Sequence, residues 1–452
     1  MFKRKIYSKL QDWKKNSNGK DALLIEGARR IGKSTIAREF GKNEYKSYVV
    51  IDFSDCSNVI LDAFKNNIRN LDELFSIISF EYGVTLYNRE SLIVFDEIQM
   101  YPRARQAIKK LVADGRFDYI ETGSLISIKE NVSGIVIPSE ELSIKMYPMD
   151  FEEFCLALDE PNICDYVRDC FNKLVPINDG LHKKLMFLFK QYMLVGGMPQ
   201  SVLEYVESNR SFEVSDRRKR VIINLYRNDI RKIKKAYGSK VAAVFEQIPG
   251  NLSKHEKRII LSSVDGGIST ADTYENTFFW LNDSMITNTC SRCHDPNVGF
   301  SLTGNMDDIK CYMADTGLLF SHAFDENEIT KEELHKQIMH DKLAINKGML
   351  FENAIAQMLT ANGHKLYFYT KYNEQKHRND IEIDFLLSKT SSTNSKIVPI
   401  EVKSSKNYTT VSLIKFNEMY RDRVSESYVI HPKNLKVENG IVYIPCYMAF
   451  CL

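Results

Sequence analysis

Two short segments hold the residue types and spacings best suited to chemistry. The first, "GARRIGKST", contributes Gly27, Ala28, Arg29, Arg30, Ile31, Gly32, Lys33, Ser34 and Thr35 and matches G-x-x-x-x-G-K-[ST] between a strand and a helix. Glycines in that pattern let backbone N–H groups curl around phosphates at a helix N-terminus. Lys33 then reaches the terminal phosphates of ATP, and the Ser34 hydroxyl ligates Mg²⁺. The matching acids end the apolar run "LIVFDE", where Asp96 holds Mg²⁺ through water and Glu97 polarises the attacking water. "ETGSL" ends another strand, and Thr122 and Ser124 are each either a donor to the γ-phosphate or lytic water or part of an ordinary turn. The second segment, "VPIEVKSSKN", sets Glu401 and Lys403 two positions apart, on one face of a strand. That pair is either a buried ion pair or half of a metal-dependent phosphodiesterase.

The surrounding elements must position these groups. Through the first third, "DALLIEG", "KSTIAREFGKN", "KSYVVIDFSD", "NLDELFSIISFEYG" and "SLIVFDEI" alternate apolar strands with amphipathic helices. That rhythm implies a parallel sheet flanked by helices. A helix is expected from Arg103 to Asp114, then a strand at "FDYIETGSL", and the sheet domain closes near "IKMYPMDFEEFCLAL". At 452 residues the chain suits two to four domains. A net charge of +2 leaves any nucleic-acid binding to local clusters of Lys and Arg. The N-terminus lacks an apolar run of signal-peptide length, no segment approaches a membrane span, and nine scattered cysteines argue for reduced thiols, so a cytoplasmic location is expected. "CSRCH", Cys290 to His294, imitates a haem-attachment or zinc motif; Cys311 and His322 are conceivable further ligands, but buried thiols are the better expectation.

The middle of the chain is helical around "KLMFLFKQYMLVGGMPQSVLEYVE" and then strongly basic in "DRRKRVIINLYRNDIRKIKKAYGSK". Arg217, Arg218, Arg231 and Lys234 there are candidate DNA phosphate contacts, weighed against an ordinary solvated face. Helices near "VAAVFEQIPGNLS" and "TADTYENTFFWLNDSMI", followed by strand-like "GFSLTG" and "IKCYMADTGLLF", give an order compatible with a winged helix-turn-helix. The acids Asp272, Glu275 and Asp283 suit a DNA-reading helix poorly, so a protein-interaction fold remains open. "FDENEITKEELHKQIMHDKLAIN" is expected to be a charged helical connector. The last part gives helix at "KGMLFENAIAQMLTAN", strands at "KLYFYTKY", "IEIDFLLSK" and "IVPIEVKSS", then helix and further strand.

Taken in order, "GARRIGKST", "LIVFDEIQ", "ETGSL", "YPMDFEEF", "VGGMP" and "CYMADTGLL" resemble the prokaryotic AAA-type P-loop ATPases that carry a C-terminal uncharacterised domain, over nearly the whole chain. The resemblance implies a multidomain α/β protein. Its parts would be an AAA-type core over 1–150, a helical lid over 151–210, a winged-helix-like domain over 211–325, and a domain related to PD-(D/E)xK nucleases over 326–452. It also implies a turn at Gly196 to Pro199 lying in the lid close to nucleotide. A nuclease core of that kind uses three acids and a lysine, and Glu352, Asp384, Glu401 and Lys403 occur in the required order, with Mg²⁺ or Mn²⁺ as the metal. Arg30, Arg103 and Arg105 are all candidates for an arginine finger, and a homo-oligomer is compatible with any of them. Two functions follow as expectations. One is an Mg²⁺-dependent ATPase coupled to DNA through the nuclease-like domain; the other is a nucleotide switch whose C-terminal domain binds a partner without cutting.

Overall fold

The computed structural model of the chain describes residues 1–123, 139–233, 237–254, 257–259, 271–297, 299–302, 304–326, 330, 332–340, 347–375, 377–390 and 395–452. It divides into two compact units, Lys3–Tyr147 and Pro148–Leu452.

The first unit runs α1 (Ile6–Ser17), β1 (Ala22–Glu26), α2 (Lys33–Glu44), β2 (Ser47–Asp52), α3 (Asn58–Asn66), α4 (Leu71–Tyr82), β3 (Ser91–Asp96), α5 (Pro102–Asp114), β4 (Asp118–Gly123) and β5 (Glu141–Lys145). Among the described residues the sheet order is β2-β3-β4-β1-β5, and every pairing is parallel. Helices cover both faces of such a sheet, which is why β1, β3 and β4 are buried at every position. Ile51, Phe53, Phe64, Phe95, Leu111 and Tyr119 belong to its core, with Phe53 packed edge-on against both Phe64 and Phe95. The order brings the C-terminal ends of β1, β3 and β4 side by side, and ligand-binding loops of α/β sheets gather at such ends. Sequence reading missed β5. Its pattern of mostly exposed residues has no apolar run, because it is an edge strand held by its pairing to β1.

The second unit contains α6 (Phe151–Ala157), α7 (Ile163–Lys173), α8 (Asp179–Val195), α9 (Pro199–Glu207), α10 (Phe212–Arg231), α11 (Gly238–Ser253), β6 (Arg258–Ile259), α12 (Ala271–Asp283), β7 (Thr287–Cys293), β8 (Gly304–Met313), α13 (Thr316–Ala323), α14 (Glu332–Met339), α15 (Lys347–Ala361), β9 (Leu366–Asn373), β10 (Arg378–Thr390), β11 (Ser395–Val402), α16 (Val411–Met419), β12 (Tyr428–His431), β13 (Lys436–Glu438) and β14 (Ile441–Pro445). Its strands form one sheet in the order β13-β14-β12-β11-β10-β9-β7-β8-β6. The β7–β9 pairing is parallel, so strands that the sequence assigned to a winged helix share a sheet with those assigned to the C-terminal domain. "CYMADTGLLF" is not strand throughout. β8 stops at Met313, and the Asp315 carboxylate accepts the Leu318 N–H at 2.8 Å, capping α13.

Several motif residues of this unit form a packing node. The Asp315 carboxylate accepts the Gly197 N–H, Tyr192 donates to the Met149 carbonyl at 2.9 Å, and Gln357 donates to that carbonyl at 3.2 Å. A Cβ on Gly197 would lie 2.0 Å from the Met149 carbonyl oxygen, so only glycine fits. The turn that the resemblance placed near nucleotide therefore has its contacts with Met149 and Asp315 of its own unit.

The basic helix α10 is tied into the same unit. Asp216 is fully buried and accepts from Arg220 at 2.7 Å, from the Thr330 N–H at 2.9 Å and from Ser321, with Lys219 at 3.8 Å. Burial pushes its pKa up, but Lys219, Arg220, Ser321 and Thr330 outweigh that and bring it down to about 2. A depressed carboxylate stabilises the fold above its unfolded pKa, and that stabilisation is lost as pH falls through the folded value. Asp216→Asn is expected to cost about 3 kcal/mol at pH 7, because it removes the buried carboxylate that Lys219 faces and that Arg220 shares with Asp325. Urea unfolding should show the gap to wild type narrowing between pH 4 and pH 2; a loss below about 0.5 kcal/mol would refute the role.

Candidate functional site

Gly32, at φ 93°, caps α2, so the first N–H groups of the helix open onto the loop from Gly27 to Gly32. A Cβ on Gly27 would lie 2.3 Å from Ile31 Cδ1 and 2.6 Å from the Met146 carbonyl oxygen, so the first glycine is sterically required. Ala28 and Ile31 are buried, whereas Arg29 and Arg30 are exposed. Lys33 is nearly buried, and its Nζ donates to the Gly27 and Ala28 carbonyls at 2.8 and 2.9 Å. Burial lowers its pKa to about 8 against the opposing pull of Glu97 and Asp96.

Asp96 is the focus of the site. Its Oδ1 accepts the Ser34 hydroxyl at 2.7 Å and also the Thr122 hydroxyl from the end of β4. Arg38 lies 4.0 Å from the other oxygen. Glu97 takes the left-handed backbone conformation, φ 51°, and its carboxylate accepts from the Gln99 amide. Thr35 lines an open cavity of about 450 Å³ with Ser34, Arg38, Glu39, Lys42 and Tyr48. The donor set fits Mg²⁺-bound ATP. A hydroxyl and a carboxylate already within hydrogen-bond distance match a divalent ion, and an ammonium held only by loop carbonyls is poised to exchange them for phosphate oxygens. Arg38 was missed in the sequence, although its place four residues after Ser34 puts it one helical turn along the same face. Of the three finger candidates, Arg105 is buried and bound to Glu141 at 2.9 Å, with Glu121 at 3.9 Å, so it does not reach outward. Ser124 lies outside the described residues.

A family model described as an AAA domain matches residues 19–155. Residues 19–155 are thus similar to AAA domains. Two further models, each described as a domain of unknown function, match residues 186–328 (DUF8612) and 347–448 (DUF4143). Among curated proteins, none matches the sequence. The chain is similar to a katanin structure solved to explain katanin self-assembly, at 16% identity and a TM-score of 0.21, covering 31% of this chain and 45% of that one. It is also similar to the Aeropyrum pernix ORC2 protein in its ADP form, at 12% identity and a TM-score of 0.28, covering 75% of this chain and 93% of that one. The loop, Asp96 and Thr122 all lie inside the span that the AAA domain model matches.

The four C-terminal candidates come together in the second unit, but among cations. Lys310, from β8, is buried and stands 3.4 Å from Glu352 and 3.6 Å from Asp384. Lys257 and Tyr312 also donate to Glu352, and the Val402 N–H donates to Asp384 at 2.8 Å. Burial would raise the Glu352 pKa, yet Lys310 and Lys257 bring it to about 2. Glu401 lies 3.0 Å from Lys403, and burial, against that ammonium, raises its pKa to about 7. Glu352 and Asp384 do not fit a divalent ion, since Lys310, Lys257, the Tyr312 hydroxyl and the Val402 N–H already engage their oxygens. The buried Glu401 oxygens accept no hydrogen bond and have the Lys403 ammonium beside them. Among the described residues no group of three His, Cys, Asp or Glu side chains is arranged to hold a metal. Cys290, Cys293 and Cys311 are buried thiols, Cys293 donates to the Asp295 carbonyl at 3.2 Å, and the His322 ring bonds to the Phe245 carbonyl at 3.0 Å, so among the described residues "CSRCH" joins no ligand set with it.

On α10, Arg217 pairs with Glu213 at 2.8 Å and Arg218 with Glu204. Arg227 pairs with Glu246 and Asp325. Arg231 is exposed, and Lys234 lies outside the described residues. No described helix is long and apolar enough to cross a membrane.

Proposed function

We propose that this chain binds ATP with Mg²⁺ through residues 27–35 and Asp96 and hydrolyses it, and that turnover sets the state of the second unit. The observation carrying this reading is the convergence of the Ser34 and Thr122 hydroxyls on one Asp96 oxygen beside a buried lysine. In this reading Lys33 binds the terminal phosphates, Ser34 and Asp96 hold the metal, Thr122 orients the γ-phosphate or water, and Glu97 takes the proton from the attacking water. Bound Mg²⁺ would offset charge developing on the transferred phosphoryl group. Steady-state phosphate release, with and without single-stranded, duplex and branched DNA, tests both parts. ATP-dependent release that needs Mg²⁺ supports the catalytic assignment, and stimulation by DNA identifies the coupled ligand.

DNA coupling is supported by the exposed Arg217 and Arg231 and by the partly exposed Arg218 on one basic helix. The second reading, a nucleotide switch that acts on a protein partner without cutting, is favoured by the internal pairing of Lys219, Arg220 and Arg227. Those pairs remove much of the charge that made the segment look like a nucleic-acid surface. If DNA is the ligand, replacing Arg217, Arg218 and Arg231 by Ala together should lower the salt slope of binding by roughly one for each arginine that had neutralised a phosphate. An unchanged slope in the triple variant assigns the helix to packing and partner binding.

A further inference from the structure

The acid cluster of the second unit has the composition of a metal centre and the charge balance of a finished one. Lys310 Nζ lies 3.4 Å from Glu352 Oε1, 3.6 Å from Asp384 Oδ1 and 4.0 Å from Glu382 Oε1, with its ammonium 5.1 Å from the centre of the Phe368 ring. Each oxygen of the two central acids is already engaged. Glu352 Oε1 faces Lys310 and the Tyr312 hydroxyl, and Glu352 Oε2 accepts from Lys257. Asp384 Oδ1 faces Lys310, and Asp384 Oδ2 accepts the Val402 N–H. Glu401 adds its own cation, Lys403. Four carboxylates thus face three ammonium groups, and a divalent ion entering among them would meet those cations at contact distance.

We propose that the ammonium of Lys310 is the resident cation of this centre, a covalently attached substitute for a divalent ion, and that the centre therefore holds the sheet together and cuts no phosphodiester. Lys310 is not a plug that swings aside. Its strand β8 is paired on both edges, with Cys290 of β7 and Arg258 of β6 opposite Lys310 itself, so withdrawing the side chain with its backbone breaks two ladders. The side chain is also enclosed, so rotating the ammonium out would leave ionised Glu352 and Asp384 facing each other without their shared partner. The lysine enters from outside the helix and strands that bear the acids. For that reason the acids alone look like a metal site.

The test uses MnCl₂ and the full chain without nucleotide, so that failure of the ATP assignment leaves it unaffected. Manganese bound per chain, read by electron paramagnetic resonance, is expected to be equal in wild type, Asp384→Asn and Glu401→Gln. Lys310→Met is expected to gain one Mn²⁺ per chain and a Mn²⁺-dependent rise in Tm, both lost in Lys310→Met/Asp384→Asn. Manganese bound by wild type and lost in Asp384→Asn or Glu401→Gln would overturn the proposal, as would a folded Lys310→Met that takes up no additional Mn²⁺. If Lys310→Met does not fold, the comparison of wild type with the two acid variants decides alone.

Discussion

Lys33→Ala is expected to weaken ATP binding about a hundredfold, while Glu97→Gln binds ATP like wild type and turns it over about 10²–10⁴ times more slowly. The first figure follows from losing a charged hydrogen-bond donor to phosphate, worth about 3 kcal/mol. The second is the usual contribution of a positioned general base. The two residues divide because Lys33 acts on ground state and transition state alike, whereas Glu97 acts on the water only as it attacks. Stability separates lost binding from lost fold. Burial already holds the Lys33 pKa down at about 8, which means the folded state disfavours its charged form, and Ala removes that burden. Tm of nucleotide-free Lys33→Ala should therefore equal or exceed that of wild type. Binding of a fluorescent ATP analogue and single-turnover phosphate release check the pair. Near-normal turnover in Glu97→Gln would remove it as the base and move attention to Thr122 and water.

The first unit was legible because buried parallel strands announce themselves as apolar runs and the phosphate loop needs its glycines at fixed spacing. "SLIVFD" and "ALLIE" are buried throughout, and each ends where a functional loop begins. What escaped reading has physical causes. β5 is held by pairing rather than by apolar side chains, and α3 is a nine-residue helix between β2 and α4 whose signal merges with its neighbours. Asp315 looks like an acid inside a strand run, yet it ends the strand by capping the next helix. Charge was the least legible property. A one-dimensional run of Arg and Lys does not reveal that Asp325 and Glu246 come from separate segments to pair with it, beside Asp216 of the same helix. The same holds for the C-terminal acids. Glu352, Asp384, Glu401 and Lys403 were each visible, but Lys310 stands more than forty positions before the first of them. The β7–β9 pairing joins the β7–β8 hairpin to the sheet whose strands hold Asp384 and Glu401.

That arrangement gives Glu352→Gln a large and specific cost. The substitution keeps shape but leaves Lys310 and Lys257 facing a neutral amide in a buried site, and breaking a buried ion pair on one side typically costs 3–5 kcal/mol, here about 4. A metal site makes the opposite claim, since three crowded acids without their ion repel, and neutralising one would raise Tm. pH adds a second signature. The Glu352 pKa lies at about 2, below its ordinary value, so its contribution is complete above about pH 4.5 and disappears as pH falls through 2. The difference in unfolding free energy between wild type and Glu352→Gln should thus be constant from pH 7 to pH 5 and shrink by about 3 kcal/mol by pH 2. Lys310→Met in the same chain completes a double-mutant cycle. An apolar side chain opposite a neutral amide leaves no stranded charge from that pair, so the double variant should be more stable than the sum of the single losses by about 1–3 kcal/mol. Strict additivity in that cycle, or a rise in Tm for Glu352→Gln alone, would show that Lys310 and Glu352 do not hold one another. The acids would then have to be treated as an open site after all.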